Sequence, residues 1–314
     1  MDSSVQLRTE ELCITDNSKV PLDLAVLAGS MTVLLGDDET IASDLALILA
    51  GRRLPVSGNI QLGDDNLSIH SHSARGRIEY VSCNFSCPDG MTVSGYFSLA
   101  AAAAGYSRKE TGEILSQLYS WCSLENLIDE EVNRLSPDNR YLVTFAAACL
   151  PVPDVFVLQG PFSENLHPLL ENLCQSGCAV IASLPEIQYI PQSADRIAIC
   201  DSHDVRRIVR LQELSDACSI LMRLHVKFFP ALPRAVMESL PGAKDIVAVQ
   251  GGYEFYHAGL SAAVTNLVNL ARANSRQITG FEVRPPSNSE LVEFYTTDDE
   301  PGEADLFWAE DLDI

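Results

Sequence analysis

The chain has 314 residues, 46% of them hydrophobic, enough to bury a core of about two domains. Its formal net charge of −22 weighs against nucleic acid and anionic lipid as direct partners. There is no apolar run of about 18 residues or more, the opening MDSSVQLRTEELC is polar and acidic, and the nine Cys lack small-domain spacing, so a reducing, cytoplasmic setting without membrane insertion is expected.

In chain order, apolar segments predict strands over 6–14, 30–35, 60–62, 77–81, 154–158, 179–183 and 196–200, separated by helical patterns as an α/β fold requires. A helix over 43–50 closes at Gly51. A helical subdomain is predicted over about 93–135, where Ile114, Leu115 and Leu118 fall at helical spacing. Cys83 with Cys87, and Cys174 with Cys178, are four apart without a second pair at metal-finger spacing, and read as packing thiols. His70 and His72 lie in the polar stretch SIHSHSARG and read as a surface loop.

The interval after the second strand is Gly36, Asp37, Asp38, Glu39, Thr40, Ile41, Ala42 and Ser43. A phosphate-cradling loop has the pattern G-x-x-x-x-G-K-[ST], with glycines that let backbone N–H groups reach the phosphates and a Lys that supplies charge. Here Ile41 stands at the second Gly and Ala42 at the Lys, while Ser43 keeps the hydroxyl. Three carboxylates stand where a triphosphate would lie, and a like-charge pair near a surface costs up to about 4 kcal/mol at about 4 Å. An alternative use of these acids is as a built-in anion: Asp37, Asp38 or Asp44 would satisfy the unpaired N–H groups of the following helix.

With this loop, IEYVSC at 78–83, the Thr92-Val93 pair, LSPDNRYLVTFAAACLPVPDVFVLQGP at 135–161 and SADRIAI near 193–199, the chain resembles the ATP-binding subunits of ABC (ATP-binding cassette) transporters over roughly its first 200 residues. The resemblance implies the sites that have been altered. Cys83 takes the place of the magnesium-contacting Gln, and Ser136 survives from the signature while Pro137 and Asp138 replace its paired glycines. Gln159 and Gly160 stand at the metal-holding Asp and the water-polarising Glu, and Pro185 stands at the switch His. Without those carboxylates phosphoryl transfer loses its positioning and its charge neutralisation. His167 lies close by and is a poor base, having no phosphate or metal partner.

Beyond Asp201 the pattern changes. RRIVRLQELSD reads as a linker strand and helix within 202–219. Residues 220–297 then read as β-α-β-β-α-β, a small ferredoxin-like α+β domain. RPPSNSELVEFYTT resembles the closing segment of exporter ATPase subunits, a region the family associates with dimer contacts or regulation. The acidic end, 298–314, reads as a solvated, disordered tail, with a docking peptide anchored by Phe307 and Trp308 as the alternative.

The expectation is therefore an α/β protein with a degenerate ABC-type nucleotide-binding domain over 1–201, a P-loop-like core with its helical subdomain, followed by the smaller domain. Its vestigial nucleotide site comprises Gly36, Asp37, Asp38, Ile41, Ala42, Ser43, Asp44 and Cys83, with Ser136 from the signature. The resemblance implies a pseudo-ATPase, peripheral at the inner face of the membrane, that pairs with an ABC membrane subunit, an active ATPase subunit or a second copy of itself in an exporter. A soluble scaffold on the same fold, or an ATP-binding but non-hydrolysing subunit, are the alternatives. No metal and no cofactor are expected, ATP with magnesium being the competing possibility.

Overall fold

A computed structural model of the chain describes residues 4–36, 41–66, 76–85, 87–257 and 259–297. It divides into two compact units, the first reaching Ile208 and the second spanning Val209–Asp298. The acidic tail, His70, His72 and the acidic residues 37–39 lie outside the described residues.

The first unit is built on two sheets. The smaller has β1 (Val5–Cys13), β2 (Ala25–Leu27), β4 (Ser57–Leu62) and β5 (Asp65–Asn66) in the order β2-β1-β4-β5, with antiparallel neighbours. The larger has six strands: β3 (Met31–Leu35), β6 (Ile78–Ser82), β7 (Val155–Gln159), β8 (Ala179–Leu184), β9 (Arg196–Cys200) and β10 (Val205–Arg210), ordered β10-β9-β3-β8-β7-β6. The pairs β3–β8, β3–β9, β7–β8 and β6–β7 are parallel. All of β3 and β8 is buried, which explains why they read as continuous apolar runs rather than alternating ones. Thus the strand expected within 202–219 is β10, which extends this sheet beside β9.

Helix α1 (Ala42–Leu49) follows β3 and buries Ala42, Leu45, Ala46, Ile48 and Leu49 against the sheet, in one cluster with Leu34, Val157 and Ile181. Gly51 ends it at a φ of 63°, a conformation that favours glycine. The helical region begins with α2 (Val93–Ala103), capped by Thr92. In α3 (Arg108–Cys122) Ser107 and Glu110 form a reciprocal capping box, two N–H groups being satisfied at once. It continues into α4 (Pro137–Ala148), and α5 (His167–Gln175) lies between β7 and β8 in sequence. Phe97, Phe145 and Phe156 are fully buried; Phe97 packs edge-on to Tyr119 between α2 and α3, and the Phe145 and Phe156 rings, 5.2 Å apart, join α4 to the sheet.

The second unit has one antiparallel sheet. Its strands are β11 (Arg223–Phe229), β12 (Ala243–Val249), β13 (Gly252–His257) and β14 (Gln277–Arg284), ordered β12-β13-β11-β14. Helices α6 (Leu211–Leu221), α7 (Arg234–Met237), α8 (Leu260–Ala273) and α9 (Asn288–Thr297) complete it. Leu224, Val226 and Phe228 of β11 point to one face and pack with Met237, Phe255, Ala263 and Leu267. Ionic pairs mark the other face. The Arg223 guanidinium donates to the Tyr256 hydroxyl at 2.7 Å, that hydroxyl donates to Glu290 at 2.8 Å, and Arg284 bonds Glu254 at 2.8 Å. The β12–β13 turn needs glycine at 252, where a Cβ would come within 2.2 Å of the Val226 carbonyl oxygen.

Candidate functional site

Parallel sheets place their functional groups at the carboxyl ends of the strands. In the first unit that edge brings together the ends of β3, β8 and β7, with Gly36 leaving β3 and Gln159 closing β7 on either side of β8. Gln159 is the hub. Its side-chain nitrogen donates to the Ser43 hydroxyl at 3.0 Å, while its side-chain oxygen accepts from the Tyr80 hydroxyl at 2.5 Å and from Ser82 at 3.3 Å. The Tyr141 hydroxyl donates to the Gln159 backbone oxygen at 3.1 Å. Register explains the convergence: Ser82 pairs directly with Gln159 across β6–β7, and Tyr80 lies two residues back on the same face. Burial raises the Tyr80 hydroxyl above its ordinary value and raises Tyr141 further, with the nearby Cys83 and Tyr80 adding to Tyr141. Both phenols therefore remain protonated donors.

The backbone around the site is also engaged. The Gly36 amide bonds the Leu184 carbonyl at 3.0 Å, the Gly160 amide bonds Ser183 at 2.8 Å, and the Ile41 amide bonds the carbonyl of Asp201 at 2.9 Å. Helix α1 has Ile41 at its N-cap and no side-chain cap. Its start is thus held by a main-chain oxygen from the β9–β10 turn. Of the acids expected to act as a built-in anion, Asp44 is ion-paired with Arg53, nine residues along and beyond the end of the helix; Asp37 and Asp38 lie outside the described residues. Asp44 is corrected accordingly: no side chain caps α1, and the Asp44 carboxylate meets the Arg53 guanidinium, a charge-assisted partner, instead of the helix N–H groups.

The remaining expected residues fall as follows. Ala42, at the Lys position, is fully buried against the sheet. Cys83 is exposed after β6, with its sulfur 3.9 Å from the Gly160 carbonyl oxygen. Gly160 has no room beside Leu184, whose Cδ2 would lie 2.7 Å from an added Cβ. Pro185 follows β8 directly. Ser136, the serine expected from the signature, caps α4 by accepting from the Asn139 amide at 3.3 Å. His167 opens α5 with burial holding its imidazole below the ordinary value, a neutral ring edge-on to Phe162. Tyr80, Ser82, Tyr141 and Asp201 were not anticipated as site residues. The only signal for them was that Tyr80 and Ser82 alternate on a strand adjoining the expected Gln159 strand.

A magnesium-triphosphate needs anionic or carbonyl oxygens around the metal and a cation or free N–H groups around the phosphates. The described residues do not fit it: Gln159 turns its nitrogen end to Ser43, and its oxygen is taken by two hydroxyls. Among the described residues no three His, Cys, Asp or Glu side chains gather as a metal set.

Beside this site, a groove of about 570 Å³ opens between β6 and helices α2 and α4. Tyr80, Phe85, Tyr96, Ala100, Ala103 and Thr144 are among the residues lining it. The Phe85 and Tyr96 rings meet edge-on at 5.3 Å, and Glu79 enters the groove with its carboxyl raised by burial, an effect that the charge of Arg52 only partly offsets.

No protein-family model matches the chain. Among curated proteins it is 26% identical over 196 residues to a Nod factor export ATP-binding protein of Ralstonia nicotianae, which covers 58% of this chain and 59% of that one. It is 25% identical over 190 residues to an energy-coupling factor transporter ATP-binding protein of Bacillus subtilis, covering 57% and 66%. A methionine import ATP-binding protein of Acinetobacter baylyi is 23% identical, covering 59% and 55%. The chain thus spans a little over half the length of these relatives, whose names include both export and import. Among solved structures, cbiO1 of Clostridium perfringens, part of an ABC transporter complex, superposes at a TM-score of 0.58 with 18% identity, covering 67% of this chain and 90% of that one. A nucleotide-free ATP-binding cassette superposes at 0.56 with 15% identity over 68% of this chain and 94% of that one. The relatives and structural neighbours are ATP-binding subunits of ABC transporters, and this chain has their α/β cassette fold.

Proposed function

We propose that the chain is a non-hydrolysing ABC subunit, a structural or regulatory member of a transporter complex of the exporter kind. The observation behind this reading is the Gln159–Ser43 hydrogen bond, which joins directly the two positions that a magnesium ion would bridge in an active cassette. Neither a bound nucleotide nor magnesium is part of the proposal, because no carboxylate base stands at the end of β7 and Ala42 supplies no charge for phosphate. The preserved scaffold serves assembly instead. The subunit sits at the cytoplasmic face of the membrane and pairs with a membrane subunit or an active ATPase subunit, and the aromatic and alanine-lined groove beside α2 supports docking of a helix from such a partner. The strand order β12-β13-β11-β14 with helices after β11 and β13 supports reading the second unit as ferredoxin-like.

The test is a titration of the purified chain with magnesium-ATP, followed as heat and as a melting-temperature shift. A ligand at about 100 times its Kd adds about 2.7 kcal/mol of stability, a shift easily seen. Silence at millimolar ATP is the expected result, and saturable binding would overturn the reading. In parallel, Ala100→Trp, which fills the groove, should abolish co-isolation of a membrane subunit from the native membrane, whereas a variant on the opposite side should not.

A further inference from the structure

We infer that the acidic segment 303–313 of this chain, EADLFWAEDLD, docks on its own second unit and adds a short strand to the open edge of β14. This goes beyond the reading of the cassette site and does not depend on it. Strand β14 is an edge of its sheet, bonded among the described residues to β11 alone, so one row of its main-chain groups points outward. Its register slips by one at Thr279, and residues 280–284 beyond that point are regular. The opposite edge differs. There β12 is interrupted between Lys244 and Val247, with Asp245 at a φ of 51°, a bulge that blunts pairing.

An apolar strip runs along the regular edge. Phe281 and Val283 pair in register with Val226 and Leu224 of the core, so they lie on the helix-covered face, yet they are 41% and 37% exposed. Helix α8 packs against β14. One flank of this helix is turned to the β12 side, where the Asn266 side-chain nitrogen donates to the Pro241 carbonyl at 3.1 Å. Leu260 and Val264, one turn apart, stand on the other flank and so beside β14, at 41% and 39% exposure. Four large apolar side chains thus border one open strand.

Charge and tether select the occupant. Residues 260–284 contain three arginines, Arg272, Arg276 and Arg284, against one carboxylate, Glu282, in a chain whose net charge is −22. The Arg276 Nε is buried with no hydrogen-bond partner among the described residues. Residues 298–314 contain eight acidic side chains and no basic one, around Leu306, Phe307, Trp308 and Leu312. An acidic segment with an apolar centre complements an apolar strip set among arginines. The tether is short. Helix α9 starts at Asn288, four residues after β14 ends, and residues 298–305 can span up to about 28 Å beyond its end. The segment therefore meets the unit it has just left at an effective concentration in the millimolar range, ahead of any free partner. As an added strand it sets Leu306 and Trp308 on the helix-covered face, against Phe281, Val283 and Val264. Phe307 then turns to the face of Arg284, where a cation–ring contact is available.

Trp308 reports the contact in the full chain once the other tryptophan is removed by Trp121→Phe. Its emission should be blue-shifted and shielded from acrylamide, equally at about 1 µM and at about 100 µM protein. Phe281→Lys and, independently, Val264→Lys should each weaken docking about tenfold or more, and Val247→Lys on the bulged edge should leave it unchanged. In the otherwise native chain, Leu306→Glu together with Trp308→Glu should speed hydrogen exchange of β14 amides about tenfold or more and leave those of β12 as they are. That experiment alters nothing in the second unit, so a unit variant that fails to fold does not decide the matter. A solvent-like Trp308 emission, shielding that survives both Phe281→Lys and Val264→Lys, or β14 exchange indifferent to the segment variant would overturn the inference. So would shielding that appears only as protein concentration rises, which would give the edge to a second copy.

Discussion

The carboxyl end of β7 in the first unit and the outer edge of β14 in the second are both places where a strand presents polar groups, and they dispose of them in opposite ways. At β7 the side-chain amide of Gln159 is engaged at both ends, its nitrogen by Ser43 and its oxygen by Tyr80 and Ser82, and the neighbouring Gly36, Gly160 and Ile41 amides bond main-chain oxygens. Along β14 Arg284 meets Glu254 and Glu282 on one face, and among the described residues the strand's outer edge has no partner strand. The lesson is that one strand end spends its polar groups on neighbouring elements of its own unit while another leaves a main-chain edge without a neighbouring strand among the described residues.

The largest effects should separate the two regions by their cores. Phe156→Ala, which empties a fully buried position against Phe145, should cost about 3–5 kcal/mol, and Leu267→Ala in the second unit about 2–5 kcal/mol, both read from denaturant midpoints. Next comes the hub: Gln159→Leu strands the Tyr80 and Ser43 hydroxyls and should cost about 1–3 kcal/mol, whereas Arg284→Ala on the β14 face should cost less than about 1 kcal/mol. Equal losses at the two places would break the contrast. Gly160→Ala should cost about 1 kcal/mol by crowding Leu184, and Leu184→Val should relieve part of it.

A pH experiment sharpens the comparison at the turn behind α1. Burial alone would raise the Asp201 carboxyl, but the amides of Asp204 and His203 and the Arg206 guanidinium outweigh it and hold it below its ordinary 3.8. A lowered carboxylate binds protons more weakly folded than unfolded, so its contribution is present above the unfolded value and is lost as pH falls through the lower folded one. Asp201→Asn should therefore make stability fall less steeply below about pH 4, at the cost of some stability at neutral pH. An unchanged acid limb in thermal melts would contradict the assignment.

Much of the frame was legible in the sequence because its strands are buried on both faces. MTVLL and AVIASL are continuous apolar runs, and a helix with buried Leu45, Ile48 and Leu49 follows the first of them. The altered positions Ala42, Gln159 and Gly160 could be placed by counting from those runs. The hydrogen bonds made at those positions were not legible. Whether Gln159 points its nitrogen or its oxygen at Ser43 depends on which hydroxyls surround it, and Tyr80 and Ser82 arrive from a different strand by register rather than by spacing. The Asp201 carbonyl that holds the Ile41 amide is a main-chain group, and side-chain patterns say nothing about where a carbonyl points. In the second unit the β-α-β-β-α-β order expected over 220–297 matches the strands and helices found, but the exposure of Phe281 and Val283 follows from strand order, which local sequence does not encode.

The hub at the end of β7 has a last consequence for its surroundings. Its members are an amide, two serine hydroxyls and two phenols, and burial pushes both phenols above their ordinary value of 10.0. No group in that set gains or loses a proton across the whole range in which a cell lives. Its geometry is therefore blind to acidity and to the ionic strength of the medium, a fixed joint rather than a sensor.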